Sequence, residues 1–423
     1  MNDPLFSRPE DKKKVALDSG ATLLTQVVPD ALSVSVGLWI KSGSRDESPV
    51  LHGVSHFLEH MVFKGTRRRS ALDIALALDR LGGQLDAFTT KEITCFDARV
   101  LAQHFDIAFD VLCDMVSEPL LDPEMIETEK QVVISEINNV FDDPDDLIHE
   151  LAGEELFASH PLGRPILGTE QSVTRFQRAE LAAFVEQRFN AANVIIAIAG
   201  PLGHDELEER VEAHFRLRRG PAYARPSPAL PPVAKGIRIE NRDLQQQHLW
   251  IGRQGIATRH PDRYKLWLLV TLLGGSTSSR LFQSIREQAG LAYSVFSFCD
   301  FASDAGLVGT YMAVAPARTE EAIRRTLDEF VRLISKGCPP AELEDTKMQL
   351  KGSLLLAMES VAARMSRLAR NELSEGRFVA VSELVERIDA VTVADIQRMA
   401  AEFLNPDALT LVSLGPNPGK GPF

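Results

Sequence analysis

The spacing of apolar residues divides the chain into short strands and amphipathic helices. Alternation of apolar and polar residues predicts a strand, whereas apolar residues three and four apart predict a helix. Strands are predicted at residues 32–40, at 84–100 as two strands with a turn near Lys91, and at 194–199, with a hairpin over 15–29. Helices are predicted at residues 71–81, 105–117, 122–139, 147–157 and 178–189. The helix over 122–139 has Asp122 as its cap and Pro123 at its first position, which is a strong start signal.

One further helix has two faces of different chemistry. Ser48 is expected to cap its start, Pro49 suits its first position, and Gly65 suits its end. At 100° per residue, one face is apolar and is made by Val54, Phe57, Leu58, Met61 and Val62. The opposite face is polar and carries His56, Glu59 and His60.

The polar face has the spacing of a metal site. Imidazoles four residues apart can reach one ion, and a carboxylate between them can reach a water bound to it. The pattern H-x-x-E-H is the inverse of the zinc-protease motif H-E-x-x-H. His52 lies four residues before His56 on the same predicted face, so spacing alone also allows His52 and His56 as the ligand pair.

The two halves of the chain resemble each other. Residues 216–236 are rich in Pro and Arg, which predicts a linker between a domain at 1–215 and a domain at 237–423. Each half has a strand that ends in Trp-Ile, then a loop, a helix and glycine. This repeat predicts two copies of one α/β domain. The expected fold class is α+β, with two homologous α/β domains that each contain a mostly antiparallel sheet packed with helices.

The second copy lacks the residues with candidate chemistry. Its helix over residues 264–273 contains no His and no carboxylate. Glu129 and Glu136, which share a face of the helix after Pro123, align near Thr346 and Ser353. A polar face that only contacted solvent would have no reason to occur in one copy alone. We therefore interpret these residues as a metal site confined to the first copy.

Composition and charge restrict the other functional classes. The net charge of −13 argues against a general nucleic-acid binder, which needs a basic surface. The four cysteines are scattered without a C-x-x-C pair, which favours a reducing compartment and speaks against a thiolate metal site. The sequence shows no signal peptide, transit peptide or membrane-spanning run, so a cytoplasmic location without membrane attachment is expected.

The motif and the repeat resemble the pitrilysin-like zinc metallopeptidases of family M16, the inverzincins. The similarity is greatest to the short-chain branch with the β-subunit of the mitochondrial processing peptidase and its bacterial relatives. It rests on His56, Glu59 and His60 followed by Glu136, and extends to residues 82–89, 160–164 and 274–282. Asp86, where many members have Asn, and Phe96-Asp97, where paired aromatics are common, depart from the family pattern.

The resemblance implies a zinc-dependent endopeptidase and assigns a role to each candidate residue. His56, His60 and Glu136 would hold one Zn²⁺ per chain, which leaves His52 as a neighbour. Glu59 would be the general base, and Glu129 would support the site. Leu85, Asp86, Ala87, Phe88 and Thr89 would bind an extended peptide, and Arg286 and Tyr293 would contact the substrate. From the residues alone, Arg286 and Tyr293 also fit an ordinary ion pair and a core position.

The resemblance further implies a closed chamber in which peptides or unfolded segments are cut, formed by a homodimer. Basic peptides would suit the net charge of −13. The alternative is a non-catalytic core or partner subunit of a heterodimeric processing peptidase. Such subunits have lost the metal residues, whereas the set here is complete.

Overall fold

The structure, a computed structural model, describes residues 10–416. Residues 1–9, on which the expected absence of a signal peptide partly rests, and residues 417–423 lie outside this part. The chain forms two compact units. Unit 1 comprises residues 10–139, 164–226 and 355–380, and unit 2 comprises residues 140–163, 227–354 and 381–416. The predicted linker therefore lies partly in each unit. Residues 140–163 of the first half belong to unit 2, and residues 355–380 of the second half belong to unit 1.

The strands alternate with helices along the chain. The strands are β1 (Asp11–Ala16), β2 (Thr22–Val27), β3 (Ser33–Ile40), β4 (Gln84–Thr89), β5 (Thr94–Leu101), β6 (Val194–Gly200), β7 (Gly236–Asn241), β8 (Gln247–Gln254), β9 (Ala292–Phe301), β10 (Gly306–Val314) and β11 (Thr410–Gly415). The helices are α1 (Val54–Met61), α2 (Ala71–Asp79), α3 (Phe105–Ser117), α4 (Pro123–Asp142), α5 (Pro144–Phe157), α6 (Glu170–Arg175), α7 (Arg178–Arg188), α8 (His204–His214), α9 (Arg263–Gly274), α10 (Thr319–Lys336), α11 (Pro340–Ala357), α12 (Val361–Glu375), α13 (Val381–Asp389) and α14 (Val393–Phe403).

The two sheets have the same topology. In unit 1 the strand order is β1-β2-β6-β3-β5-β4, in which β2 and β6 are parallel and the other neighbours are antiparallel. In unit 2 the order is β7-β11-β8-β10-β9, in which only β7 and β11 among the described strands are parallel. The second sheet repeats β2, β6, β3, β5 and β4 of the first in the same order, and residues 10–416 contain no counterpart of β1 in it. The predicted α+β class with two similar, mostly antiparallel domains is confirmed.

The first sheet is covered on both faces. Phe57, Leu58 and Met61 of α1 belong to the core on one face. On the other face, Trp39 packs with Met365 of α12, and the indole nitrogen lies 3.4 Å from the methionine sulfur. Because burial of a large apolar side chain contributes roughly 1.5–3 kcal/mol, α12 is a substantial part of the stability of unit 1.

The second sheet has a corresponding outer helix. Ile148 and Leu151 of α5 pack with Trp250 and Tyr311 on the face away from the main core of unit 2. The helix α5 comes from the first half of the sequence and α12 comes from the second half. Each half therefore supplies the outer helix of the unit that the other half mainly forms.

The motif helix begins later than predicted. Pro49–Leu51 form a separate 3-10 turn, and Gly53, with φ of +91°, precedes the first helical residue. This left-handed conformation suits glycine and interrupts the helix that Ser48 was expected to cap. The side-chain carboxyl group of Glu47 replaces that cap, since its oxygens accept hydrogen bonds of 2.7 Å from the backbone N–H groups of Gly53 and Ser55. Burial raises the pKa of Glu47 to about 8.

Candidate metal centre and active site

Two helices of unit 1 bring three ligand atoms together. His56 and His60 lie one turn apart on α1, and Glu136 lies on α4, where Asp122 Oδ1 caps the helix start by accepting from two backbone N–H groups. The Nε2 atoms of His56 and His60 each lie 3.6 Å from Oε2 of Glu136. Tetrahedral Zn²⁺ with bonds of about 2.0–2.2 Å separates its ligands by roughly 3.3–3.6 Å. Both separations suit ligands of one zinc ion, and all three ligand atoms lie within 4.8 Å of one another.

His52, the other candidate ligand, points to a different part of unit 1. Its Nε2 atom lies 2.6 Å from the carbonyl oxygen of Pro165, and burial lowers its pKa. Within residues 10–416, His56, His60 and Glu136 are the group of possible ligands whose atoms all lie within 4.8 Å of one another. Because Gly53 separates His52 from the helix, the four-residue spacing does not place His52 on the same face as His56.

The two histidines have different environments. Burial, with the neighbouring His60 as a smaller cause, lowers the pKa of His56 to about 4, so its ring is neutral near pH 7, as a metal ligand must be. Burial also lowers the pKa of His60, but the hydrogen bond with Glu129 and the charge of Glu136 outweigh it, and the net pKa is raised. The negative charge that favours a proton on His60 also favours a metal cation.

Glu129 lies behind the ligands. Its Oε1 atom is 2.8 Å from Nδ1 of His60, and its Oε2 atom is 2.7 Å from Nζ of Lys64. Burial raises the pKa of this carboxyl group, but the hydrogen bonds from His60 and Lys64 more than compensate, and the pKa is lowered. An ionised Glu129 accepts a hydrogen bond from the Nδ1–H group of His60, which keeps the proton on Nδ1 and leaves the lone pair of Nε2 free for the metal.

Glu59, the predicted base, is held by the strand that was predicted to bind substrate. The hydroxyl group of Thr89 donates a hydrogen bond of 2.5 Å to Oε2 of Glu59. Burial raises the pKa of Glu59, and the hydrogen bond from Thr89 only partly offsets this. Thr89 therefore has a role that sequence reasoning did not assign to it, namely to orient Glu59.

A cleft of about 330 Å³ opens beside these groups. Its walls are formed by Glu59, His60, Phe63, Lys64, Leu85, Asp86, Ala87 and Glu129. The strand β4 pairs with β5 on one side and has no other strand partner in the described chain, so its outer backbone edge is free. Phe88 instead packs against Trp39, with ring centroids 5.5 Å apart. Three of the five residues predicted to bind substrate thus line the cleft.

Arg286 and Tyr293 contact each other in unit 2. Arg286 lies in a π-helical turn, Phe282–Glu287, and donates a hydrogen bond of 2.8 Å from Nη1 to the carbonyl oxygen of Tyr293. Its guanidinium group lies 4.7 Å from the centroid of the Tyr293 ring. The Tyr293 residue is 79% exposed, so it is not a core residue. Its hydroxyl group is available to a ligand.

Sequence reasoning missed Lys64 and Glu47 as well as the contact of Thr89. Lys64 follows His60 by four residues, which was a usable signal because such residues share a helix face. Glu47 gave no local signal, since its partners lie across a turn and a left-handed glycine.

Comparison with known proteins agrees with this architecture. Residues 22–170 match the family described as Insulinase (Peptidase family M16), and residues 175–350 match Peptidase M16 inactive domain. An uncharacterised zinc protease of Streptomyces coelicolor is 35% identical over 93% of this chain and 87% of its own. The uncharacterised zinc protease YmxG of Bacillus subtilis is 37% identical over 95% of this chain and 98% of its own. A protease structure from Helicobacter pylori has the same fold, with a TM-score of 0.91 at 21% identity over 96% of this chain and 100% of that chain.

Two of these relatives are named zinc proteases, which is the class of protein that the comparisons indicate. Within that class, the chain belongs to peptidase family M16. The part that matches the inactive domain contains α9, which has no His or carboxylate. None of the helices in residues 10–416 is long and apolar enough to cross a membrane.

Proposed function

We propose that the chain is a zinc-dependent endopeptidase that hydrolyses peptides or unfolded protein segments. The main support is the convergence of His56, His60 and Glu136 on one point beside a cleft that also contains Glu59. When bound, zinc would polarise the scissile carbonyl group and lower the pKa of the attacking water.

Glu59 would transfer the protons. A general base works best when its pKa lies near the working pH, and burial raises the pKa of Glu59 in that direction. The carboxylate would accept a proton from the attacking water and later donate it to the leaving amine. Thr89 would hold the carboxylate in place during both transfers.

The free edge of β4 would bind the substrate. An extended peptide can add to an exposed strand through backbone hydrogen bonds. This mode of binding depends more on the extended shape of the peptide than on its sequence. Leu85, Asp86 and Ala87 on this strand line the cleft and would contact the peptide. Asp86 and the net charge of −13 favour basic peptides over acidic ones and over nucleic acid.

Arg286 and Tyr293 would contact the substrate. A guanidinium group and a phenol are hydrogen-bond donors that can hold peptide carbonyl groups and stabilise developing negative charge. The exposure of Tyr293 supports this role over a packing role.

The test of the base is Glu59→Gln. The variant should bind zinc as the wild type does, whereas peptide hydrolysis should fall by about 10²–10⁴-fold, the usual contribution of general acid–base catalysis. Glu124→Gln, at an exposed position in the first turn of α4, is the matched control and should be fully active. Near-normal turnover by Glu59→Gln would disprove the mechanism. The absence of stoichiometric zinc in the wild type would favour the non-catalytic subunit.

We also propose that the protein acts as a homodimer that encloses a chamber in the cytoplasm. A single chain carries every candidate catalytic group, which supports a homodimer over an obligate heterodimer. Light scattering of the purified protein should give twice the mass of one chain, and the protein alone should cut unfolded peptides but not folded proteins. Rescue of an inactive preparation by a different subunit would contradict this proposal.

A further inference from the structure

Lys64 is a charged residue beside the metal centre, and its contacts are unusual for a surface lysine. It ends the 3-10 turn Val62–Lys64 that continues α1, and its Nζ atom lies 2.7 Å from Oε2 of Glu129. The other oxygen of Glu129 is 2.8 Å from Nδ1 of His60. We propose that Lys64 is a positioning residue of the zinc centre, which orients the Glu129 carboxylate so that Glu129 fixes the ring of His60. This inference rests on the proposed function.

The burial of Glu129 makes its orientation dependent on partners. Its side chain is only 3% exposed, so water cannot easily replace a lost hydrogen bond. A buried carboxylate with one oxygen unsatisfied is unfavourable and tends to rotate toward another donor. His60 binds one oxygen and Lys64 binds the other. Without Lys64, the position of the oxygen that contacts His60 would no longer be fixed.

The end of α1 places Lys64 where this contact is possible. The backbone N–H of Val62 points to the carbonyl groups of both Leu58 and His60, which tightens the last turn. Gly65, with φ of +120°, then ends it. Lys64 thus lies about one turn after His60 on the same side, and Glu129 can contact both residues.

The second copy lacks the whole arrangement. When Gly65 is aligned with Gly275, Lys64 corresponds to Gly274 and His60 to Val270. A side chain at Gly274 is excluded, because its Cβ atom would lie 2.4 Å from the backbone nitrogen of Ser297. The counterpart of Glu129 is Thr346, whose hydroxyl group bonds within its own helix.

A different ion pair, within α4, has an equivalent within α11 of the second copy. Lys130 contacts Glu127 on α4 at 2.7 Å, and Lys347 contacts Glu344 on α11 at 2.9 Å. This pair, which does not include a candidate ligand or its supporting carboxylate, is therefore present both with and without the metal ligands. The pair of Lys64 and Glu129 occurs only where the ligands occur, which supports a role toward the metal.

Lys64→Met tests the proposal, and the rate at which zinc passes to a chromogenic chelator is the main measurement. We expect release about tenfold faster than in the wild type, at the lower end of the effects of residues that support metal ligands. We also expect kcat about three- to tenfold lower, with KM and Tm unchanged. Lys64→Arg, which keeps the charge and the donors, should restore most of both values.

Lys13→Met is the matched control. Lys13 is similarly exposed, at 37% against 34%, and forms ion pairs with Asp205 and Glu208 in the same unit. This variant should release zinc at the wild-type rate.

Three results would overturn the proposal. Wild-type zinc release by Lys64→Met would show that Lys64 does not position the site. A change in KM alone would make Lys64 a substrate contact, which is the rival role because it lines the cleft. A loss of Tm that Lys64→Arg does not restore would indicate a purely structural role. If the wild type bound no zinc, the proposed function itself would fail. That outcome differs from the three results above, in which the wild type binds zinc and only the role of Lys64 fails.

Discussion

The helices α1 and α9 occupy corresponding places in two sheets of the same topology, yet their faces differ. Aligned on their terminal glycines, His56, Glu59 and His60 correspond to Leu266, Leu269 and Val270. These three apolar residues are all buried in the core of unit 2. The fold therefore does not require the metal-binding residues, and an apolar helix satisfies the same architecture.

The comparison shows the cost of the chemistry to unit 1. Burial raises the pKa of Glu59 because desolvation disfavours its charged form. The leucine at the equivalent position in unit 2 has no such penalty. Functional residues that destabilise their own fold are common at active sites, where activity and stability compete.

The largest expected effect is the loss of zinc binding when a ligand of the first copy is changed, compared with no effect at the corresponding position of the second copy. Glu136→Gln removes a ligand oxygen charge with little change in shape, and zinc affinity should fall by more than about 100-fold, beyond the effect of residues that only support ligands. Peptide hydrolysis should be lost with it. Ser353→Ala, at the corresponding position of α11, should leave zinc content and activity unchanged. Zinc analysis of both variants after dialysis gives the metal content, and a peptide-hydrolysis assay gives the activity. If Glu136→Gln retained zinc, Glu136 would not be a ligand.

Glu59 of α1 and Leu269 of α9 lie at one aligned position, and exchanging the two residue types should affect the stability of the two units differently. Leu269→Glu puts an unpaired carboxylate in the core of unit 2 and should lower the free energy of unfolding by about 3–5 kcal/mol. Glu59→Leu should abolish activity but leave stability unchanged or raise it by about 1 kcal/mol. Urea denaturation of both variants gives the comparison. Equal destabilisation by the two changes would show that Glu59 also supports the fold.

The exposed pair in unit 2 should affect the reaction and not the fold. Tyr293→Phe should lower kcat/KM by about tenfold or more, which corresponds to roughly 1.4 kcal/mol or more of transition-state stabilisation. Zinc content and Tm should barely change, because the side chain is exposed. A decrease in stability that parallels the loss of activity would instead make Tyr293 structural.

The smallest effect concerns the pH dependence of stability. Hydrogen bonds from Arg398 and Lys265 lower the pKa of Asp262 in unit 2 to about 2. A carboxyl group with a lower pKa in the folded state stabilises the fold above its unfolded value of 3.8, and this is lost as pH falls toward 2. Asp262→Asn should therefore cost about 1 kcal/mol near neutral pH and almost nothing near pH 2, as measured by urea unfolding.

Glu47 in unit 1 provides the opposite case. Its folded pKa of about 8 lies above the unfolded value of 4.5, so the stability of the fold should decline as pH rises between these values. Glu47→Gln should flatten this decline. A variant with the slope of the wild type would show that Glu47 does not titrate in this range.

Local structure followed from the sequence wherever the signals were local. The helix Phe105–Ser117 was predicted with its observed bounds, and the start of α4 followed from Asp122 and Pro123. The start of α1 was predicted too early, because Ser48 and Pro49 are good start signals whereas the left-handed turn at Gly53 depends on contacts outside the helix.

By itself, the sequence determined many elements of the first half, the repeat and the residue types of the metal site, because periodicity and spacing along a helix are local properties. Only the tertiary structure decided which surface each apolar face covers. The place of α12 on the sheet with Trp39 is one example, because no local pattern in the sequence shows it. The same holds for hydrogen bonds between distant residues. Thr89 contacts Glu59, and Glu129 contacts both His60 and Lys64, because the folded chain brings these groups within reach.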